Sequence, residues 1–263
     1  MTDRDRAAVA EEQLEQLPPD KTEQVEEKGA LIEEAPSAGQ MKIDLHCHSE
    51  ASPDCSSPFE EIPERCVEAG VAVQAITDHD RIDGAERVRD HARSMEADVT
   101  IIIGEEVMTT EGEIVGLFLE KPIPPDLFPD EAVQRIQAQG GLVLLPHGFD
   151  PLKTYRLKPS ARERIASSIQ IVETFNARIS APRWNRAAVV WAEERGALMS
   201  AGSDAHTLAD IGSAWVEVAR ESIEGPADLL DALKGGVPVG HWTHPVIAYV
   251  YKLWDRFWRR VRG

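Results

Sequence analysis

From Met41 onward, short apolar runs alternate with stretches whose apolar positions repeat at helical spacing. The pattern predicts strands over 43–48, 71–77, 100–107, 113–119, 142–145, 169–175, 198–201 and 215–218. Between them it predicts helices over 57–69, 83–96, 130–139, 160–168, 182–195 and 222–234. Ser57 reads as the N-cap of the first helix, Pro58 as its first residue and Gly70 as its stop. Residues 122–129 form a proline-dense loop suited to a rim or partial lid, and Leu142 to Leu145 is a continuous apolar run of the kind buried on both faces. Strand–helix alternation with short links implies parallel pairing and right-handed crossovers, hence a closed barrel or a doubly wound sheet.

The flanks break the pattern. Residues 1–40 are rich in Glu, Gln, Asp, Lys and Pro and poor in large apolar side chains, so they read as a disordered acidic arm. Residues 241–263 read as a basic amphipathic helix. Val246, Ile247, Val250, Leu253, Trp254, Phe257 and Val261 fall on one face, and Lys252, Arg256, Arg259, Arg260 and Arg262 lie mostly off it. Such a helix packs on the barrel or on a second copy of the chain, or lies on an anionic membrane surface. The expected organisation is therefore an arm (1–40), an α/β barrel (41–240) and a C-terminal helix (241–263).

Composition narrows the function. A formal net charge of -18 argues against a general binder of long nucleic acids, which needs a basic surface, and suits a small-molecule substrate. Cys47, Cys55 and Cys66 contain no C-x-x-C spacing, so neither a disulfide framework nor a zinc ribbon is indicated, and a reducing compartment is expected. The N-terminus lacks an apolar export segment and no run is long enough to span a bilayer. The expected location is cytoplasmic.

The candidate chemistry begins at Asp44-Leu45-His46-Cys47-His48-Ser49. Two histidines two residues apart on a strand share a face and can grip one divalent metal; alone, such a pair is as readily structural. Its company changes the weight. Thr77-Asp78-His79-Asp80, Gly104-Glu105-Glu106, Pro146-His147 and Ser203-Asp204-Ala205-His206 each follow an apolar, β-rich run. A barrel brings the C-terminal ends of all its strands to one rim, whereas an open sheet converges only at its switch point. The spread of these motifs along the chain selects the barrel. Cys47, on the opposite face, reads as packed. His91, His241 and His244 read as structural or solvent-facing, and Trp184 and Trp191 as a packing face of one helix.

The ordered set D-L-H-C-H-S, T-D-H-D, G-E-E, P-H and G-S-D-A-H resembles the polymerase-and-histidinol-phosphatase (PHP) family of metal-dependent phosphoesterases, over about residues 41–239. The resemblance implies a distorted (β/α)7 TIM-like barrel with two or three divalent metals (Mn, Zn or Fe) at the C-terminal rim. It implies that His46, His48 and Asp204 hold one metal and that Glu106 bridges, leaving Glu105 as a solvent-facing or outer group. His147 would serve a second metal, and Asp54, His79 and His206 a third. Two departures stand out. Ser52-Pro53-Asp54-Cys55 lacks the glycine that usually follows this aspartate, and Glu113 stands where many members carry a histidine. Glu113 is either a harder ligand, favouring Mn or Fe over Zn, or no ligand. Asp78 or Asp80 would orient an imidazole.

A cluster of imidazoles and carboxylates holding paired metals lowers the pKa of bound water and clamps an in-line displacement at phosphorus. The expected function is hydrolysis of a small phosphate ester of nucleotide or sugar-phosphate type, with Glu106, Asp204 and His206 in the reacting set. Among nearby cations (Arg156, Lys158, Arg178, Arg183), Arg178 is preferred for phosphate oxygens because it follows strand 169–175 on the rim. Alternatives are an exonuclease acting on short oligonucleotides and a non-catalytic binding module on the same barrel. Filled ligand positions count against the module.

Overall fold

The computed structural model describes residues 40–220 and 222–243. Seven strands make the wall of a barrel: β1 (Met41–Asp44), β2 (Val71–Ile76), β3 (Thr100–Thr109), β4 (Gly112–Leu117), β5 (Leu142–Leu145), β6 (Ile171–Asn176) and β7 (Leu198–Gly202). Two more, β8 (Ala214–Val218) and β9 (Val237–Gly240), extend the sheet past β1, in the order β7-β6-β5-β4-β3-β2-β1-β8-β9. Helices α1 (Ile62–Ala69), α2 (Asp83–Ser94), α3 (Pro129–Gln137), α4 (Pro159–Arg164), α5 (Pro182–Arg195) and α6 (Pro226–Leu233) connect them.

The ends of the wall meet at the rim. Leu45 N–H donates to the Ala201 carbonyl at 3.3 Å, Asp204 N–H to His46 at 2.8 Å and His48 N–H to Ala205 at 3.0 Å, joining the continuation of β1 to that of β7. Further down, antiparallel β8 takes the free edge of β1, with Ile43 opposite Val216. Inside the barrel pack Ile43, Leu45, Val73, Ile102, Leu144 and Ile171. Outside, Val107, Val143, Ile136 and Trp191 pack in one helix–sheet layer, and Cys47, Ile62, Ile76 and Val88 in another. Burial on both faces is what makes these strands continuously apolar.

The expected barrel is the observed one, with corrections in its detail. Pairing is not parallel throughout: β4 runs antiparallel to both β3 and β5. Only Thr110 and Glu111 link β3 to β4, and a parallel crossover needs a dozen or so residues, so the link can only be a hairpin. The first helix starts at Ile62 rather than Pro58, with Pro63 in its first turn, while Gly70 at φ 70° ends it as expected. The strand expected over 43–48 stops at Asp44, and β9 was not anticipated. The acidic arm and most of the C-terminal amphipathic helix lie outside the described residues. Among the described residues no helix is long and apolar enough to cross a membrane.

Candidate metal centre

The rim gathers the sequence motifs into one buried cluster. Parallel β2 and β3 place His79 opposite Glu106 just past their paired ends. Side chains of β3 alternate, so Glu106 faces the rim cluster while Glu105 turns outward. Glu105 is fully buried, and its Oε2 accepts from Ile123 N–H at 2.7 Å; the expectation of a solvent-facing group there is corrected. Because β4 is antiparallel, its first residues rather than its last reach the rim, which delivers Glu113.

Distances define the cluster. His46 Nε2 and His48 Nε2 are 3.2 Å apart, and each is 3.4 Å from Glu106 Oε2. Asp204 Oδ1 lies 3.6 Å from His48 Nε2 and 3.9 Å from His46 Nε2. His147 Nε2 meets Glu106 Oε1 at 3.0 Å and lies 4.0 Å from Glu113. His79 Nδ1 is 3.4 Å from Glu106 and 3.8 Å from Glu113. On the outer side, Asp54 reaches His206 Nε2 at 2.9 Å and His79 Nε2 at 3.6 Å; its side chain is about half exposed. All nine candidate ligands converge. Four overlapping triads have ligand atoms within 4.8 Å of one another: His46/His48/Glu106, His46/His147/Asp204, His79/Glu106/Glu113 and His48/His79/His206.

Neighbouring acceptors decide which imidazole nitrogen is bare. His46 Nδ1 faces Glu173 Oε1 at 3.0 Å, and His206 Nδ1 faces the Asp204 carbonyl at 2.8 Å, so both carry a proton there. His48 Nδ1 donates to Ser52 Oγ, whose own hydroxyl is given to Asp78 at 2.6 Å. Asp78 thus orients His48 through Ser52, whereas Asp80 holds Met108 N–H. With Nδ1 of both rings committed to an acceptor, the Nε2 atoms of His46 and His48 approach to 3.2 Å. Such a contact is repulsive unless a cation or proton lies against both. Among the described residues His147 Nδ1 is buried with no hydrogen-bond partner. The donor set and its orphaned atoms fit divalent metals.

Electrostatics agree. Burial would raise Glu106 and Asp204, yet both are held well below the usual carboxylate range, Glu106 mainly by His46 and His147, Asp204 mainly by Lys153 and His46. Burial and the charge of Glu106 push Glu113 up to about 9. Burial and His206 push His48 down, while Glu173, Glu106 and Asp204 lift His46 against its burial. Three non-glycine residues at or beside the cluster, Asp80, His147 and Asp204, have positive φ (54°, 26° and 51°), the kind of strain that clusters at working sites.

A cleft of about 530 Å³ opens onto the cluster, lined among others by Asp54, His79, Glu113, Lys153, Tyr155 and His206. Arg178 donates to the Asp204 carbonyl at 2.9 Å and does not line the cleft; Lys153 does, with its Nζ 2.5 Å from Asp204 Oδ2. Sequence reasoning missed Lys153, which sits in an irregular loop, and Glu173. For Glu173 a signal existed: a lone charge inside the apolar run Ile171-Val172-Glu173-Thr174-Phe175.

A family model described as the PHP domain matches residues 44–174, and one described as PHP-associated matches 182–238. An uncharacterised protein of Methanocaldococcus jannaschii is 33% identical over 192 residues, spanning 72% of this chain and 75% of that one. The chain belongs to the PHP family. The PHP barrel is also seen in a two-domain protein of Bacteroides vulgatus containing a predicted PHP-like metal-dependent phosphoesterase, at TM-score 0.64 and 18% identity over 81% of this chain and 70% of that one. A 5'-3' exoribonuclease of Haemophilus influenzae is 41% identical over 87 residues, covering 32% of this PHP chain and 31% of that enzyme.

Proposed function

We propose that the protein hydrolyses a small phosphate ester, of nucleotide or sugar-phosphate type, at a centre of two or three divalent metals. The 3.2 Å approach of the Nε2 atoms of His46 and His48 carries this reading, because with both Nδ1 atoms committed to acceptors only a proton or a cation can lie between them. His46, His48, Glu106 and Asp204 would hold one metal, with Glu106 shared. His147 and Glu113 would serve a second, and Asp54, His79 and His206 a third. Mn or Fe suits the carboxylate-rich second position better than Zn. When bound, such metals supply an activated water and neutralise phosphate charge.

The chain's own groups then have distinct tasks. Lys153, on the cleft wall, is placed to bind a phosphate oxygen. Arg178 holds the Asp204 main chain and adds positive charge behind it. Asp54 and His206, 2.9 Å apart on the open side, would hold the third metal beside the departing alkoxide, whose charge that metal would offset. Exonuclease action on short oligonucleotide ends is the second reading, supported by the likeness to the Haemophilus influenzae enzyme and by a cleft open at one side. The charge of -18 favours short substrates in either case.

Metal analysis of the purified protein, with turnover of a generic phosphomonoester and phosphodiester under added Mn²⁺, Zn²⁺ and Mg²⁺, tests the reading. Two or more held metals and metal-dependent turnover are expected. No bound metal and no turnover would leave a binding module.

A further inference from the structure

One buried carboxylate serves two of the candidate ligands at once. Glu173, on β6, is 2% exposed. Its Oε1 accepts from His46 Nδ1 at 3.0 Å; its Oε2 accepts from His147 N–H at 2.6 Å and from Asn176 Nδ2 at 3.0 Å. Asn176 is fixed in turn, its N–H held by Asn185 Oδ1 at 3.1 Å and its own Oδ1 taking Arg178 N–H at 2.8 Å. The carboxylate has no room to move: a methyl group at Gly202 would come within 2.1 Å of Oε1 and 2.5 Å of His46 Cβ.

We infer that Glu173 is a positioning residue that aims His46 and His147 into the cluster together. This rests on reading the cluster as a metal centre. A proton held at His46 Nδ1 leaves Nε2 as the nitrogen turned to the cluster, and a strong acceptor for His147 N–H holds that residue in its unfavourable backbone conformation at φ 26°. Both tasks need an acceptor, on opposite oxygens of one side chain. A glutamine offers one acceptor and one donor. With its oxygen toward His147, the amide NH₂ faces His46 and drives the imidazole proton to Nε2, blocking the ligand lone pair. With the amide reversed, NH₂ meets the N–H of His147 and the Nδ2 of Asn176, and the His147 turn is released. Glu173→Gln is therefore damaging in either orientation although its shape is unchanged.

The test uses the full chain, stripped of metal. Calorimetric titration with Mn²⁺ is expected to show affinity lower by about 10–100-fold in Glu173→Gln than in the parent, with the same far-UV circular dichroism. Equal affinity in a folded variant would overturn the inference. A second measurement needs no variant and no metal. In histidine-¹⁵N-labelled parent protein, His46 should show a downfield, slowly exchanging proton on Nδ1. A proton absent from Nδ1, or exchanging freely with solvent, would overturn the inference even where Glu173→Gln failed to fold. Were the parent itself to bind no Mn²⁺ or Zn²⁺, the metal-centre reading would fall while the nitrogen signal still decided the Glu173–His46 contact.

Discussion

Glu113 lies 3.8 Å from His79 and 4.0 Å from His147, although it opens its strand where the other candidates close theirs. The reversal of β4 buries this carboxylate beside the charge of Glu106, which Lys153 offsets only in part. In the metal-free protein Glu113 therefore stays protonated up to about pH 9, against an ordinary value of 4.5. The folded state then binds a proton that the unfolded chain has released, so stability falls as pH rises between these values. Urea unfolding of the metal-free protein and of Glu113→Gln should show the parent losing stability relative to the variant from pH 5 to pH 8.5. The ceiling is roughly 1.4 kcal/mol per pH unit. Saturating Mn²⁺ should remove the difference. Parallel pH profiles without metal would count against a buried, protonated Glu113.

Lys153→Met should separate substrate binding from metal binding. Hydrogen bonds to charged groups are worth about 1.5–3 kcal/mol, so KM for a phosphoester should rise roughly 10-fold or more. Mn²⁺ uptake should not weaken, because the lysine competes for Asp204 rather than helping to coordinate. Unchanged KM would return the phosphate-binding role to Arg178.

Gly202→Ala would push a methyl group into Glu173 and His46. The backbone there is ordinary, so the cost is overpacking, about 1–3 kcal/mol, read as a lower urea midpoint at unchanged slope. Weaker Mn²⁺ binding should accompany it. A variant as stable as the parent would show that the β6–β7 contact is looser than described.

The thiols should be inert. Cys47 and Cys66 are fully buried, and burial pushes Cys55 up to about 12 while its Sγ donates to the His48 and His206 carbonyls at 3.3 Å. A thiol-specific disulfide reagent at pH 8 should titrate no cysteine within minutes in the native protein and all three in denaturant. A fast native thiol would refute this placement.

Much of the fold was legible because parallel strands buried on both faces must be apolar. Strands 142–145 and 71–77, the helix over 182–195 and the stop at Gly70 follow from local composition and turn chemistry, which act over a few residues. The histidine and acidic motifs were legible for a related reason, since each is a polar interruption at the end of such a run, where the chain leaves the core.

Other features depend on which distant segments meet, and local pattern carries none of that. The antiparallel sense of β4 comes from a two-residue link, and it alone decides that Glu113 reaches the rim. Glu173 reads as one charge in an apolar strand until β1, β5 and β7 converge on it. Lys153 reads as a loop lysine until its loop folds over Asp204. By itself, the sequence determined that an α/β barrel would carry a ring of imidazoles and carboxylates, because hydrophobic periodicity and residue chemistry are local. Only the tertiary structure decided how those groups face one another, because distances of 3–4 Å between residues far apart in the chain are set by strand order and packing.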